Sequence, residues 1–140
     1  MATVAEVMNR DVLAVDPTAS IGEAAEKMMD GGVGAVVVME DMVRMVGIIT
    51  ERDILNAIGA GVDPDAAMVD SHTTGRGLVF AAPRWSLEEA AAAMVKGAFR
   101  HLIVVDEGQI IGILAMRDIV RCWTDDGAIC EVPASAALSG

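Results

Sequence analysis

Tyrosine is absent from this chain of 140 residues, and two Trp and two Phe bring the aromatic content to only 3%. Stacking platforms for nucleic-acid bases are therefore scarce. Positive charge is equally thin, with 10 Lys and Arg against 21 Asp and Glu and a formal net charge of -11. A nucleic-acid track or an anionic membrane surface needs concentrated positive potential, so neither is expected as a partner. A small anionic ligand stays open wherever a few Arg or His converge; elsewhere the acidic excess reads as a solvated surface. Cysteine is limited to Cys122 and Cys130, with no zinc-like pattern around them, which fits reduced thiols in a cytosolic protein. No apolar run approaches the roughly eighteen residues of a membrane span. Met1 to Arg10 has no signal-peptide apolar region either, so the expected location is the cytoplasm. Catalytic signatures are missing as well: there is no Gly-x-Ser-x-Gly elbow and no Walker-type glycine-lysine loop. Cys122, His101 and Asp118 are chemically capable, but nothing joins them, and no catalytic residue or enzyme activity is expected.

What is present is a core former rich in Ala, Val, Ile and Leu, 54% hydrophobic, with ten Met to fill irregular gaps. The length fits one compact domain or two small halves that share a core. Self-similarity decides for two halves. Arg10, Pro17, Ser20, Ile21, Glu23, Ala24, Ala25, Met28 and Gly31 recur sixty-six positions later as Arg76, Pro83, Ser86, Leu87, Glu89, Ala90, Ala91, Met94 and Gly97. Beyond the first hairpin the offset is sixty-five, pairing Gly47 with Gly112, Arg52 with Arg117 and Asp53 with Asp118. One residue is therefore gained or lost in the turn around Asp41 or Asp106, where a repeat tolerates a change most easily.

The first copy starts with a short helical turn over Val4 to Met8 and a brief strand over Asp11 to Val15, closed by Asp16-Pro17. A helix begins at Ser20, with Glu23 completing a capping box and Ile21, Ala24, Ala25 and Met28 forming one apolar face. Gly31-Gly32 ends it. The apolar run Val33 to Met39, a turn at Glu40 to Met42, a strand over Arg44 to Ile49 and a helix from Glu51 to Ile58 complete a β-α-β-β-α unit. The linker carries Asp63-Pro64-Asp65, a turn initiator, with a helical turn expected at Ala66 to Val69. The second copy repeats the order: strand Leu78 to Ala81, helix Ser86 to Val95, hairpin Arg100 to Asp106 and Gln109 to Leu114, and helix Met116 to Trp123. The expected fold class is α/β (α+β): two β-α-β-β-α repeats packed by a pseudo-twofold into one module. Expected boundaries are 1–60 for repeat 1, 61–71 for the linker, 72–124 for repeat 2 and 125–140 for a loose tail or small docking segment. Stacking the half-covered sheets buries their leftover apolar faces and creates two related clefts between the copies.

Gly47-Ile48-Ile49-Thr50-Glu51-Arg52-Asp53 is where a strand hands over to a helix, and it returns as Gly112-Ile113-Leu114-Ala115-Met116-Arg117-Asp118. A hydroxyl, backbone N–H groups and a carboxylate converge there at a helix N-terminus, a place suited to a ribose and a phosphate. Asp53 can accept from two ribose hydroxyls, and Thr50 can donate to a phosphate or ribose oxygen. The same two residues also fit an N-cap and an acidic first-turn residue that only stabilise the helix, and both roles can coexist.

This order, with Ser-Ile-x-Glu-Ala-Ala, the Gly-Gly turn before the apolar strand and Gly-Ile-Ile-Thr-Glu-Arg-Asp, resembles a tandem cystathionine-β-synthase (CBS) domain pair, the Bateman module. The likeness covers roughly residues 1–124. The Ala-Gly-Val-Asp-Pro linker and Ala-Ile-Cys tail also look like the small stand-alone pairs that include a mycobacterial hypoxic-response protein. The resemblance implies a regulatory sensor that pairs into a disc-shaped homodimer. It would bind an adenine nucleotide (AMP, ADP or ATP), or less often S-adenosylmethionine or an NAD-type ligand, and signal to a regulated partner protein. No metal is expected.

In the family motif, Thr50 and Asp53 match the ribose and phosphate contact. The second copy keeps Asp118 but has Ala115 at the hydroxyl position, which costs roughly 1.5–3 kcal/mol if nothing replaces the hydrogen bond. The cleft using Asp118 is therefore expected to be the weaker, and Asp53 the first place to look. Arg100-His101 opens the second apolar strand where the first has Gly34-Ala35. Basic residues at this point reach nucleotide phosphates in the family; the bland alternative is an exposed Arg and a half-buried structural His. Gly34 and Ala35 leave room for a base. Val12, Leu13, Leu78 and Val79 are candidates to flank adenine, or plain core. Arg52 and Arg117 are candidates for phosphate in a dimer-facing cleft, or exposed first-turn residues in salt bridges. His72, Cys122 and Cys130 are three scattered potential ligands and do not make a zinc motif. The alternative from another class is a ligand-free structural or protein-interaction dimer with vestigial clefts.

Overall fold

The computed structural model describes residues 2–73 and 80–125. The first repeat contains helix α1 (Val4–Val7), strand β1 (Ala14–Val15), helix α2 (Ile21–Gly31), strands β2 (Ala35–Glu40) and β3 (Arg44–Thr50), and helix α3 (Glu51–Gly59). After a 3-10 turn at Val69–Ser71, the second repeat follows as β4 (Phe80–Ala81), α4 (Leu87–Gly97), β5 (His101–Asp106), β6 (Gln109–Ala115) and α5 (Met116–Asp125). Each repeat builds one three-stranded sheet, ordered β1-β2-β3 and β4-β5-β6, with the first pair parallel and the second antiparallel. The mixed α/β architecture of two β-α-β-β-α units is the one expected.

The helix starts follow from local chemistry. Ser20 and Ser86 cap α2 and α4 by accepting the backbone N–H of Glu23 and Glu89, each at 3.1 Å. Gly32 closes α2 with φ 63°, but its counterpart closing α4 is Ala98 at φ 58°, a left-handed conformation that costs an L-residue energy. The hairpin turns explain the change of offset. Glu40 pairs with Arg44 across three residues, whereas Asp106 pairs with Gln109 across two.

Strands β2 and β5 are buried on both faces, which is why they read as unbroken apolar runs rather than alternating ones. Val36 and Val38 face α2 with Ala24 and Met28; Leu102 and Val104 face α4 with Ala90 and Met94. On the opposite faces the two sheets meet each other through Ala35, Ile48 and Ile103, with Met45, Val105 and Ile110 around them. This central contact joins the two repeats.

The ends of the repeats are crossed. Val4 and Met8 of α1 belong to the core of the second repeat, beside Leu87, Leu102, Leu114 and Ile119. Val69, from the 3-10 turn, belongs to the core of the first, beside Val15, Val36 and Ile49. Backbone hydrogen bonds tie these plugs in matching fashion: Val4 N–H to the Trp85 carbonyl at 2.9 Å, and Val69 N–H to the Ala19 carbonyl at 2.8 Å. The crossing accounts for two departures from expectation. Strand β1 covers only Ala14–Val15 because Asn9 is already paired with Ile113 of the other repeat, while its side chain accepts the Asp11 N–H at 2.9 Å. The helical turn expected at Ala66 to Val69 begins instead at Val69, because Met68 is held extended in a bridge to Ser20.

Candidate functional site

Glycine at the head of the repeated motif has a packing role. A Cβ on Gly112 would lie 2.5 Å from Met8 Sδ and 3.0 Å from the Asn9 carbonyl oxygen, so a bare backbone is needed where the N-terminal segment crosses β6. That crossing brings Asn9 and Asp11 to the edge of a cleft between the repeats.

The hydroxyl and carboxylate of the first motif form a complete capping box. The Thr50 hydroxyl accepts the Asp53 N–H at 3.3 Å, and Asp53 Oδ2 accepts the Thr50 N–H at 2.9 Å and its hydroxyl at 3.0 Å. In the second motif, Asp118 Oδ2 accepts the Ala115 N–H at 3.0 Å, and no hydroxyl joins it. Both carboxylates thus fix a helix start with one oxygen, and each stays half-buried in the first turn of its helix.

The described cleft forms around Asp118. Its narrow lobe is lined by Asn9, Asp11, Gly34, Ala35, His101, Ala115, Arg117 and Asp118, with Val33 and Ile113 as apolar walls. A wider, more open lobe adjoins it through Gly34, His101, Ala115 and Arg117, and adds Glu51, Arg100, Met116 and Val120. The first repeat supplies small residues and two carboxylates, Asp11 and Glu51; the second supplies both arginines, the imidazole and Asp118. Arg117 reaches across to the other repeat, donating to the Gly32 carbonyl at 2.8 Å, rather than resting in a first-turn salt bridge.

His101 sits where the lobes join. Burial pushes its pKa below the ordinary value of 6.5, and Arg117 and Arg100 push the same way, while Glu51 and Asp118 oppose them. The imidazole is accordingly neutral at physiological pH, an N–H donor and an acceptor rather than a cation.

Of the residues singled out from sequence, Gly34, Ala35, Arg100, His101, Arg117 and Asp118 converge on this cleft, and Arg52 does not line it. Thr50 and Asp53 do not line it. Leu13 packs on the first core, its side chain over Gly31, and Val12 is half-buried; neither lines the cleft. Leu78 and Val79, like Cys130 and the tail beyond residue 125, lie outside the described residues. Cys122 packs against the second core. Among the described residues no three His, Cys, Asp or Glu side chains are grouped to hold a metal ion, and no helix is long and apolar enough to cross a membrane. Asn9, Asp11 and Glu51 line the cleft without having been singled out: the first two arrive through the crossing, which has no local signature, and Glu51 occupies a variable position of the motif.

Comparison with known proteins agrees with this architecture. The CBS domain family model matches residues 4–60 and 72–125. The CBS domain-containing protein YhcV of Bacillus subtilis is 35% identical over 120 residues, covering 85% of this chain and 84% of its own length. Hypoxic response protein 1 of Mycobacterium tuberculosis is 28% identical over 122 residues, covering 86% of this chain and 85% of that protein. An uncharacterized protein of Methanocaldococcus jannaschii is 32% identical over 89% of this chain, which spans only 44% of that relative's length. For a relative from Methanopyrus kandleri the share is 61%. The solved CBS-domain protein from Agrobacterium tumefaciens superposes with a TM-score of 0.80 at 33% identity, covering 88% of this chain and 95% of that one. A CBS domain protein from Pyrobaculum aerophilum, complexed with AMP, gives 0.74 at 26% identity over 84% of this chain and 89% of the other. The hypoxic response protein structure with two coordinated zinc ions gives 0.69 at 27% identity over 86% and 98%. Proteins of this kind are generally regulatory or binding modules. With two matched repeats that fill most of its length, the chain belongs to the CBS domain family, as a tandem pair.

Proposed function

We propose that this chain is a regulatory CBS pair, not an enzyme, that binds an adenine nucleotide between its repeats and passes the bound state to a partner protein. The observation that carries this reading is the convergence of Gly34, Ala35, Arg100, His101 and Asp118 on one cleft. In this reading Arg100 and Arg117 receive phosphate, His101 donates a neutral N–H, and Asp118 accepts from the ribose with the oxygen that its cap leaves over. Ala35, in the narrow lobe, leaves space for the base, and Gly34 keeps the junction of the two lobes open. Two arginines outweigh the hydroxyl missing at Ala115, so the Asp118 cleft is the one to test first. Thr50 and Asp53, with Leu78 and Val79, are assigned to the second, pseudo-symmetric cleft; Leu13 belongs to the first core, and Val12 lines neither lobe of the Asp118 cleft. The AMP complex of the Pyrobaculum relative supports the ligand class. S-adenosylmethionine and NAD-type ligands are the less favoured alternatives.

The functional halves are assigned to residues 1–60 and 72–124, joined by 61–71, in a cytoplasmic homodimer. Leu55 and Ile58 on α3 are 70% and 52% exposed, and their counterparts Val120 and Trp123 on α5 are 50% and 42% exposed. Such matched apolar faces favour association with a second copy. Signalling requires that the ligand bind two arrangements of the module with different affinity.

Calorimetric titration with AMP, ADP, ATP, S-adenosylmethionine and NADH tests the proposal; absence of binding below about millimolar concentration would defeat it. A ligand-free interaction dimer is the second reading, favoured by Ala115 and by the capping duty of Asp118. It predicts a dimer by sedimentation with no heat in any titration.

A further inference from the structure

We propose that Glu51 determines ligand selectivity in the Asp118 cleft: its carboxylate stands on the path of a nucleotide's outer phosphates, so that the cleft accepts a monophosphate and disfavours a triphosphate. The inference rests on the reading that this cleft takes an adenine nucleotide. A Cβ on Gly34 would lie 2.9 Å from Glu51 Oε1 and 3.3 Å from His101 Nε2. Carboxylate and imidazole therefore flank the same glycine, from opposite repeats. The Glu51 backbone N–H donates to the Gly34 carbonyl at 2.9 Å, which anchors the start of α3 at this wall.

Charge balance gives that placement its consequence. The wide lobe presents Arg100 and Arg117 against Glu51, while the narrow lobe adds the carboxylates of Asp11 and Asp118. Arg117 is partly engaged by the Gly32 carbonyl, and His101 is neutral. One phosphate can be matched by two guanidinium groups. Each further phosphate brings negative charge without a new cation and comes nearer to Glu51. At the offset of sixty-five the counterpart of Glu51 is Met116, which lines the same lobe without charge. The carboxylate is thus a property of one side of the pseudo-twofold, not of the repeat.

The test is calorimetric titration of AMP and of ATP, without magnesium, into the full-length wild-type protein and the Glu51→Gln and Glu51→Asp variants at neutral pH. Wild type should prefer AMP. Glu51→Gln should raise ATP affinity roughly ten-fold, the effect of removing one unit charge a few ångströms away at intermediate dielectric, and change AMP affinity far less. Glu51→Asp keeps the charge and should keep the preference. An unchanged AMP-to-ATP ratio in Glu51→Gln would overturn the role of Glu51 while leaving nucleotide binding intact. Equal loss of the preference in both variants would assign the effect to the helix start and likewise overturn it. No binding of either nucleotide to any of the three proteins would overturn the nucleotide reading itself, and this inference with it.

Discussion

Replacing Val4 by Ala should weaken the second repeat, although Val4 stands near the beginning of the first. Its side chain is fully buried among Leu87, Leu102, Leu114 and Ile119. Val→Ala removes two methyl groups, about 0.8 kcal/mol of transfer free energy each. The cavity left in a close-packed site raises the cost to about 2–3 kcal/mol. Backbone bonds from Val4 and Ala5 to Trp85 and Pro83 keep α1 docked, so little collapse is available to recover it. The readout is built into the chain, whose two tryptophans are Trp85, packed on this same core, and Trp123, on α5. With a urea m-value of roughly 2 kcal/mol/M, the fluorescence midpoint should fall by about 1 M. A midpoint that Val4→Ala leaves in place would refute the crossed arrangement.

Lowering the pH should expose the cost of neutral, half-buried His101. Its folded pKa lies below 6.5, so the unfolded chain takes up the proton first; the linked stability is intact above that value and is lost as pH falls from it toward the folded pKa. Melting temperatures of wild type and His101→Gln should therefore run parallel above pH of about 7 and converge or cross below about 6.5, whereas parallel curves throughout would contradict the assignment. Thr50→Ala should cost about 1 kcal/mol through loss of the cap on α3, seen as a midpoint shift of about 0.5 M urea by circular dichroism. An unchanged midpoint would mean that Asp53 alone holds the helix start, as Asp118 does beside Ala115.

What could be read from the chain was local or periodic. The serine caps, the glycine stop at Gly32 and the one-residue difference between the hairpin turns follow from interactions within a few residues of each other, and β2 and β5 stand out as unbroken apolar runs. The sheet-on-sheet stacking was legible because each unit alone leaves one apolar face uncovered. The crossing of α1 and Val69 was not, since Val4 and Met8 look the same whether they plug their own repeat or the other. Everything downstream of the crossing was hidden with it: the shortened β1, the need for Gly112 and the arrival of Asn9 and Asp11 at the cleft. Arg117 illustrates the same limit, because its partner, the Gly32 carbonyl, lies 85 residues away in the chain. Ala98 at φ 58° is hidden for another reason: it takes the left-handed cap, its N–H bonded to the Met94 and Val95 carbonyls, without the glycine that stands at Gly32.

The exchanged ends also bear on how such a chain can arise. Each half lacks one wall of its own interior and borrows it from its neighbour, so a lone half would fold with a missing stave. Two separate copies of one half, each lending its leading segment to the other, would satisfy the same set of contacts. Joining them by a short tether changes an intermolecular association into an intramolecular one and makes the whole independent of concentration. Covalent linkage then frees the halves to diverge, and one half keeps the cations while the other keeps the glycine that makes room for them.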